Sequence, residues 1–391
     1  MNKAAVGRKE IIYMKNKKKK RKPWQSVLIW AARALAVIVV CVAMLLAFLT
    51  VSEYKPSDKE QLEVVSAGDN GKELKFNASL KLMTWNVGYG ALGNNADFFM
   101  DGGKSVNTAD ETRVKENLTS IADEIKTVDP DVLFLQEVDL NSSRSHDINE
   151  QETIQNMLAD SNASRLNNST FAYNFKVAFI PYPLPPIGKV NSGIVTYSSY
   201  SIEESTRYQL PCPFSWPVRL ANLKRCVMVD RIPIMNDDGS ASGKYLVLAN
   251  LHLEAYDDGE GKKAQTEMLR EILQKEADEG NYVIAGGDFN QTFSSIDDSM
   301  YPEYEGTWHC GEIDESEFSS DWQFHMDNSV PTCRSLDKAY VNADQTDFQY
   351  YMIDGYIVSK NIDVSSIKTQ SKTFENSDHN PVVMEVKLGK D

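Results

Sequence analysis

The chain has 391 residues, 42% of them hydrophobic and 25% charged, which excludes a disordered protein and leaves room for one large domain or two ordinary ones. Its formal charge of −15 is unevenly spread: the first 33 residues hold eleven Lys/Arg and one Glu, so the remainder stands at about −25. A body that acidic has no global field to draw in a polyanion, and nucleic acid would have to be held by local basic patches or metal ions.

The basic residues precede an apolar run. After "KNKKKKRK" comes Ser26 to Val51, whose one charge is Arg33, and Ala34 to Val51 gives 18 uncharged residues, enough for a helix to span the hydrocarbon of a bilayer. The Lys/Arg cluster should stay in the cytoplasm, which predicts a single-pass cell-membrane protein with everything after Val51 extracytoplasmic. A cleaved signal peptide shares the charged n-region, but the run exceeds an h-region and "LLAFLTVSEY" offers no clean small-x-small site, which favours an uncleaved signal-anchor. The expected organisation is a basic tail at 1–25, an anchor at 26–51, a polar linker at 52–79 and one domain at 80–389.

Within that domain "LKLMTWN" reads as a strand ending in a Gly-rich turn, Val114, Leu118, Ile121 and Ile125 predict a helix over 111–127, and "PDVLFLQEVD" is a buried strand. The Pro-rich "FIPYPLPPIGKV" reads as a rigid surface loop. Further strands are expected in "NSGIVTYSSY", "KRCVMVDRIPI" and "YLVLANLHLEA", then a helix at about 261–278, then strands in "NYVIAGGDFNQ", "YMIDGYIVS" and "PVVMEVKL". Many short strands with few helices predict an α/β sandwich of two packed mixed sheets with helices outside. Cys212 with Cys226 and Cys310 with Cys333 are expected disulfides by proximity, although four cysteines permit three pairings and buried free thiols are the alternative.

Polar residues recur where these apolar strands end. Asn86 closes "LMTWN", Glu137 "VLFLQE" and His252 "LVLANLH"; Asp288 and Asn290 follow "YVIAGG", Asp354 sits in "YMIDGYIV", and Asp378 and His379 precede "NPVVMEV". One such residue is commonly a turn or a cap. Six strand ends of this kind are costly to desolvate unless the groups satisfy one another or a metal ion.

"TWNVG", "FLQEVD", "NLHLEA", "GGDFNQ", "IDGYIVS" and "SDHNPVV" occur in the order that resembles the endonuclease/exonuclease/phosphatase superfamily, over about residues 80–389. The resemblance implies a four-layer α-β-β-α sandwich with a metal-dependent strand-end site that cleaves phosphate esters. Asn86, Glu137 and Asp378 offer the hard oxygen donors that Mg²⁺ or Mn²⁺ prefers. His379 is the expected general base and Asp354 its orienting carboxylate, as in the family's Asp-His pairing. Asp288 would position the attacking water, Asn290 would donate to the phosphate, and His252 would touch a phosphate oxygen or assist the leaving group. A departure lies at position 88, where some nuclease members carry an acid and this chain has Gly88.

Arg144, Arg225 and Asn191 are candidate substrate contacts, with solvated charge or a turn Asn as the alternative. The expected function is a membrane-anchored, extracytoplasmic, divalent-metal-dependent phosphoesterase whose substrate is a lipid headgroup, an inositol or sugar phosphate, or a nucleic acid. A DNA- or RNA-directed nuclease and a non-catalytic binding module are the alternatives, and no protein partner is inferred.

Overall fold

The computed structural model describes residues 22–66, 72–159, 161–257, 259–340 and 348–389, so most of the basic tail expected at 1–25 lies outside the described residues. The chain divides into two compact units between Val51 and Ser52. In the first, Pro23–Val51 is one 29-residue helix, long and apolar enough to cross a membrane. Proline suits its first position, where no backbone N–H is needed.

The second unit contains two mixed sheets. One runs Ile362–Thr369, Val382–Leu388, Ser79–Asn86, Val132–Asp139, Gly188–Ser198, Asn168–Ile180 and Val64–Ser66. The other runs Lys59–Gln61, Glu204–Gln209, Cys226–Met235, Ala241–His252, Tyr282–Asp288, Asp354–Ser359 and Trp322–His325, with Leu74–Lys75 paired off Cys226–Met235. Parallel pairing occurs at the heart of each, between Ser79–Asn86 and Val132–Asp139 and between Ala241–His252 and Tyr282–Asp288.

Strand alternation builds the layers. Leu80, Leu82, Val132 and Phe134 face Leu246, Leu248, Ile284 and Tyr356 between the sheets. The intervening residues Met83, Trp85, Leu133 and Leu135 turn outward, where Val114, Leu118, Ile121 and Ile125 of helix Glu111–Val128 cover them. Asp110 caps that helix by accepting from the Arg113 N–H at 2.8 Å. On the opposite outer face Leu269 and Leu273 of Glu260–Asp278 cover Val247, Ala249, Val283 and Ala285. The result is the expected four-layer sandwich. Gly286 serves the tight inner layer, since a Cβ there would meet the Tyr356 ring at 2.5 Å.

Two expectations need correction, and two elements lie beyond the sequence reading. Residues 52–79 are no spacer: Lys59–Gln61, Val64–Ser66 and Leu74–Lys75 add strands to the two sheets, and the Glu53 carboxylate is buried beside Arg219 and Lys224 at 3.3 and 3.4 Å. Helix Glu150–Ala159 and strand Asn168–Ile180 were not legible, because the helix buries only Glu150, Ile154 and Leu158 and the strand mixes Asn, Ser, Thr and Lys into its pattern. Finally, all five cysteines are free thiols. Cys226 faces the Tyr173 carbonyl from inside a sheet, while Cys212 turns to the Leu223 carbonyl, so that pair is not bridged.

Candidate active site

Alternation that fills the core also places the polar groups. Leu80, Leu82, Thr84 and Asn86 share one face of their strand, as do Leu246, Leu248, Asn250 and His252, and Tyr282, Ile284, Gly286 and Asp288. Each series runs from apolar to polar towards the same end of the sandwich. Behind the site, Gln136 bridges the sheets, donating to Asn250 Oδ1 at 2.9 Å and to Thr84 at 3.2 Å. Cross-strand register sets His252 opposite Asp288, and Asp288 opposite Asp354, in one row of the second sheet. Glu137 would point away if its strand stayed regular. A one-residue bulge between Leu135 and Val138, with Glu137 at φ +55°, brings it to the wall of the shared cavity.

Asp378 and His379 come from the loop before Val382–Leu388 in the other sheet. Ser377 ties this loop down, donating to the Asn86 carbonyl at 2.8 Å and accepting from the His379 N–H at 3.1 Å. Trp85 Nε1 donates to the His379 carbonyl at 2.9 Å. The imidazole Nδ1 lies 2.8 Å from Asp354 Oδ2, and Nε2 lies 3.8 Å from Asp288 Oδ2. His252 Nε2 approaches the same Asp288 oxygen at 3.4 Å, and Asn86 Nδ2 donates to it at 3.0 Å. Asn290, at φ +51°, gives its N–H to Asp288 Oδ1 at 2.9 Å and one amide hydrogen to the Leu253 carbonyl at 2.9 Å.

Burial sets the electrostatics. It pushes the Asp288 carboxyl up to about 7, helped by Asp354, and the Asp378 carboxyl up to about 6. For His379 burial acts downward, but Asp354 and Cys333 outweigh it and hold the imidazole well above the usual histidine range. His252 goes the other way, lowered by burial and then by Arg225 and His379. Among the described residues, Asp354 Oδ1 and His252 Nδ1 have no hydrogen-bond partner.

The donor set fits a hard cation. Glu137, half-buried, and Asp378, buried, both line the cavity, and carboxylates facing one cavity in this way are stabilised by a divalent ion. Asn86, expected as an oxygen ligand, accepts with Oδ1 from the Gly88 N–H at 3.0 Å while its nitrogen faces Glu137 at 3.3 Å and Asp288. Gly88 has φ +51°, and a Cβ there would meet Leu92 Cβ at 2.8 Å and Asp378 Oδ1 at 2.9 Å, so this chain has no room for an acid at that position.

The expected substrate contacts fare differently. Arg144 lines the cavity but is bound to Asp139 through two 3.0 Å hydrogen bonds and lies over the Tyr89 ring at 3.6 Å. Arg225 also lines it, paired with Glu254 at 3.3 Å and donating to the His252 carbonyl at 3.2 Å, so it supports His252. Asn191 is not brought in: its amide donates to the Asn141 carbonyl, and the neighbouring Ser192 lines the cavity instead. Sequence reasoning missed Cys333 and Arg334. Cys333, expected in a disulfide, has its sulfur within 4.8 Å of ligand atoms of Asp378 and His379. Their strand, Cys333–Arg334, is two residues long and carries no periodicity to read.

Two mixed sheets between helical layers, with a carboxylate–imidazole cluster where the strands end, define a deoxyribonuclease-I-like fold. The chain belongs to the Endonuclease/Exonuclease/phosphatase family, whose model matches residues 83–352. Among solved structures it is similar to an endonuclease/exonuclease/phosphatase from Beutenbergia cavernae DSM 12333, at 18% identity and a TM-score of 0.53, over 80% of this chain and 72% of that one. The human Nocturnin catalytic domain with bound sulfate aligns at 19% identity and a TM-score of 0.48, over 84% and 97%. ANGEL2, a 2′,3′-cyclic phosphatase, aligns at 13% identity and a TM-score of 0.49, over 85% and 99%. No curated protein matches the chain.

Proposed function

We propose that this chain is a membrane-anchored, extracytoplasmic, divalent-metal-dependent phosphoesterase that hydrolyses a phosphomonoester or phosphodiester with water activated by His379. The observation that carries this reading is the 2.8 Å pairing of His379 Nδ1 with Asp354, which leaves Nε2 beside Asp288 in the cavity lined by Glu137 and Asp378. Mg²⁺ or Mn²⁺ bound by Glu137 and Asp378 would neutralise phosphate oxygens and stabilise the leaving oxygen. Asp354 holds the imidazole in one orientation and stabilises it once protonated. Nε2 takes a proton from water as the new P–O bond forms and the bond to the leaving oxygen breaks. Asp288 and Asn86 hold that water in place. His252, kept neutral by burial, donates to a phosphate oxygen, and the second amide hydrogen of Asn290 does the same.

The anchoring half of the proposal rests on helix Pro23–Val51 and on the basic residues before it, which favour a cytoplasmic N-terminus. The deciding experiment assays the full chain in nanodiscs against DNA, RNA, phospholipids, inositol phosphates and nucleotides with Mg²⁺ or with EDTA. Turnover that requires Mg²⁺ and disappears in His379→Ala supports the reading; turnover that survives either change unaltered overturns it.

A further inference from the structure

The cavity above the cluster is about 600 Å³ and has two unlike ends. One holds Glu137, Asp288, Asp378 and the two imidazoles. The other is walled by Phe98, Phe99, Ile180, Tyr182 and Met100. Phe98 contacts Phe99 with ring centroids 4.9 Å apart, and Phe99 contacts Tyr182 at 6.0 Å, which makes an aromatic ladder from the interior to the rim. At the rim Tyr182 is 70% and Met100 51% exposed, a hydrophobic edge left in solvent.

Charge separates the possible occupants. A polynucleotide requires a basic track for successive phosphates. The lining cations are Arg144, paired with Asp139, Arg225, paired with Glu254, and Arg334, whose Nη atoms donate to the carbonyls of Gly93 and Ser335. Among the described residues no lysine lines the cavity. One phosphate can therefore be neutralised at the polar end, with nothing placed for a second.

Resting on the phosphoesterase reading, we infer that the substrate is an amphiphile, a phospholipid-like ester whose single phosphate meets the Glu137–Asp378 end while its hydrocarbon lies along the Phe98–Phe99–Tyr182 wall. Water cleaves the P–O ester bond, its hydroxyl passing to phosphorus and its proton to His379 Nε2, and the departing oxygen takes a proton from solvent as the alcohol or headgroup leaves, the proton on His379 returning to solvent to close the balance. The apolar part contributes binding energy by leaving water.

The test compares dioctanoyl phospholipids with their deacylated glycerophosphodiesters, headgroup by headgroup, alongside a dinucleotide and plasmid DNA, using the full chain in nanodiscs with Mg²⁺. We expect kcat/KM at least about tenfold higher for an acylated ester than for its deacylated partner, roughly the effect of burying two methylenes. Tyr182→Ser with Met100→Ser, both at exposed positions that tolerate exchange, should bring that ratio towards one. A calorimetric titration of the His379→Ala chain with dioctanoyl phosphatidic acid and with glycerol phosphate should show preference for the acylated ligand without any turnover. Equal use of both partners, a ratio unmoved by the double variant, equal binding in the titration, or preference for the dinucleotide or plasmid overturns the amphiphile inference and leaves the phosphoesterase reading standing. Absence of Mg²⁺-dependent turnover on every substrate overturns the phosphoesterase reading, and the inference with it.

Discussion

His379, in the loop leading into a strand of one sheet, and Asp354, 25 residues earlier in the other sheet, meet at 2.8 Å between Nδ1 and Oδ2. This contact joins the loop of His379 to the row of His252, Asp288 and Asp354 in the second sheet.

His379→Ala should lower turnover by about 10²–10⁴-fold, the usual contribution of a general base. The unfolding midpoint checks that the loss is chemical, because the loop is also held by Ser377 and Trp85 through His379 backbone atoms, which alanine keeps.

Asp354 raises the proton affinity of His379, so Asp354→Asn should move the acidic limb of the pH–rate profile to lower pH while reducing maximal turnover. A limb that stays in place or moves to higher pH would show that a different group titrates.

Glu137→Gln and Asp378→Asn each remove one anionic donor from the proposed cation site. The Mg²⁺ concentration for half-maximal activity should rise about tenfold or more for each, equivalent to about 1.4 kcal/mol. Calorimetric titration of the chain with Mg²⁺ alone should show the same weakening, and unchanged binding in both variants would remove these residues from the site.

Asp288 and Asp378 are raised to about 7 and about 6, so the folded chain holds protons that the unfolded chain, with ordinary carboxyls, has already lost. Their contribution to stability is therefore greatest in acid and is lost as pH rises from about 4 to 7. In EDTA, the double variant Asp288→Asn with Asp378→Asn should gain stability relative to the parent chain between pH 5 and pH 7.5, and Mg²⁺ should stabilise the parent most at the higher pH. Thermal unfolding at the two pH values measures both effects.

Gly88→Ala places a methyl at φ +51° against Leu92 and the Asp378 carboxylate. A destabilisation of about 1–3 kcal/mol is expected from the backbone conformation alone, read by urea unfolding. Activity should fall as well, because Asp378 must move to admit the methyl.

Much of the site was legible because strand ends are read from composition. Asn86, His252 and Asp288 each close a strand face begun by Leu80 and Leu82, Leu246 and Leu248, or Tyr282 and Ile284, and that spacing is the register, whereas Asp354 opens its strand ahead of Tyr356 and Val358. Glu137 was legible as a polar strand end, but the bulge that turns it inward leaves no mark in the residue pattern. Arg144 and Arg225 were visible as cations, while the partners that occupy them, Asp139 and Glu254, depend on tertiary folding. Cys333 illustrates the opposite failure: residue type suggested a bridge, and only the fold sets its thiol beside His379.

The row formed by His252, Asp288 and Asp354 is fixed by hydrogen-bonded register between neighbouring strands. The segments around Phe99 and Tyr182 that wall the far end of the cavity contribute nothing to that register. On the proposed reading, chemistry and selectivity reside in mechanically separate parts of the molecule, and grafting foreign loops over the strand ends becomes a practical route to retargeting the proposed hydrolytic centre.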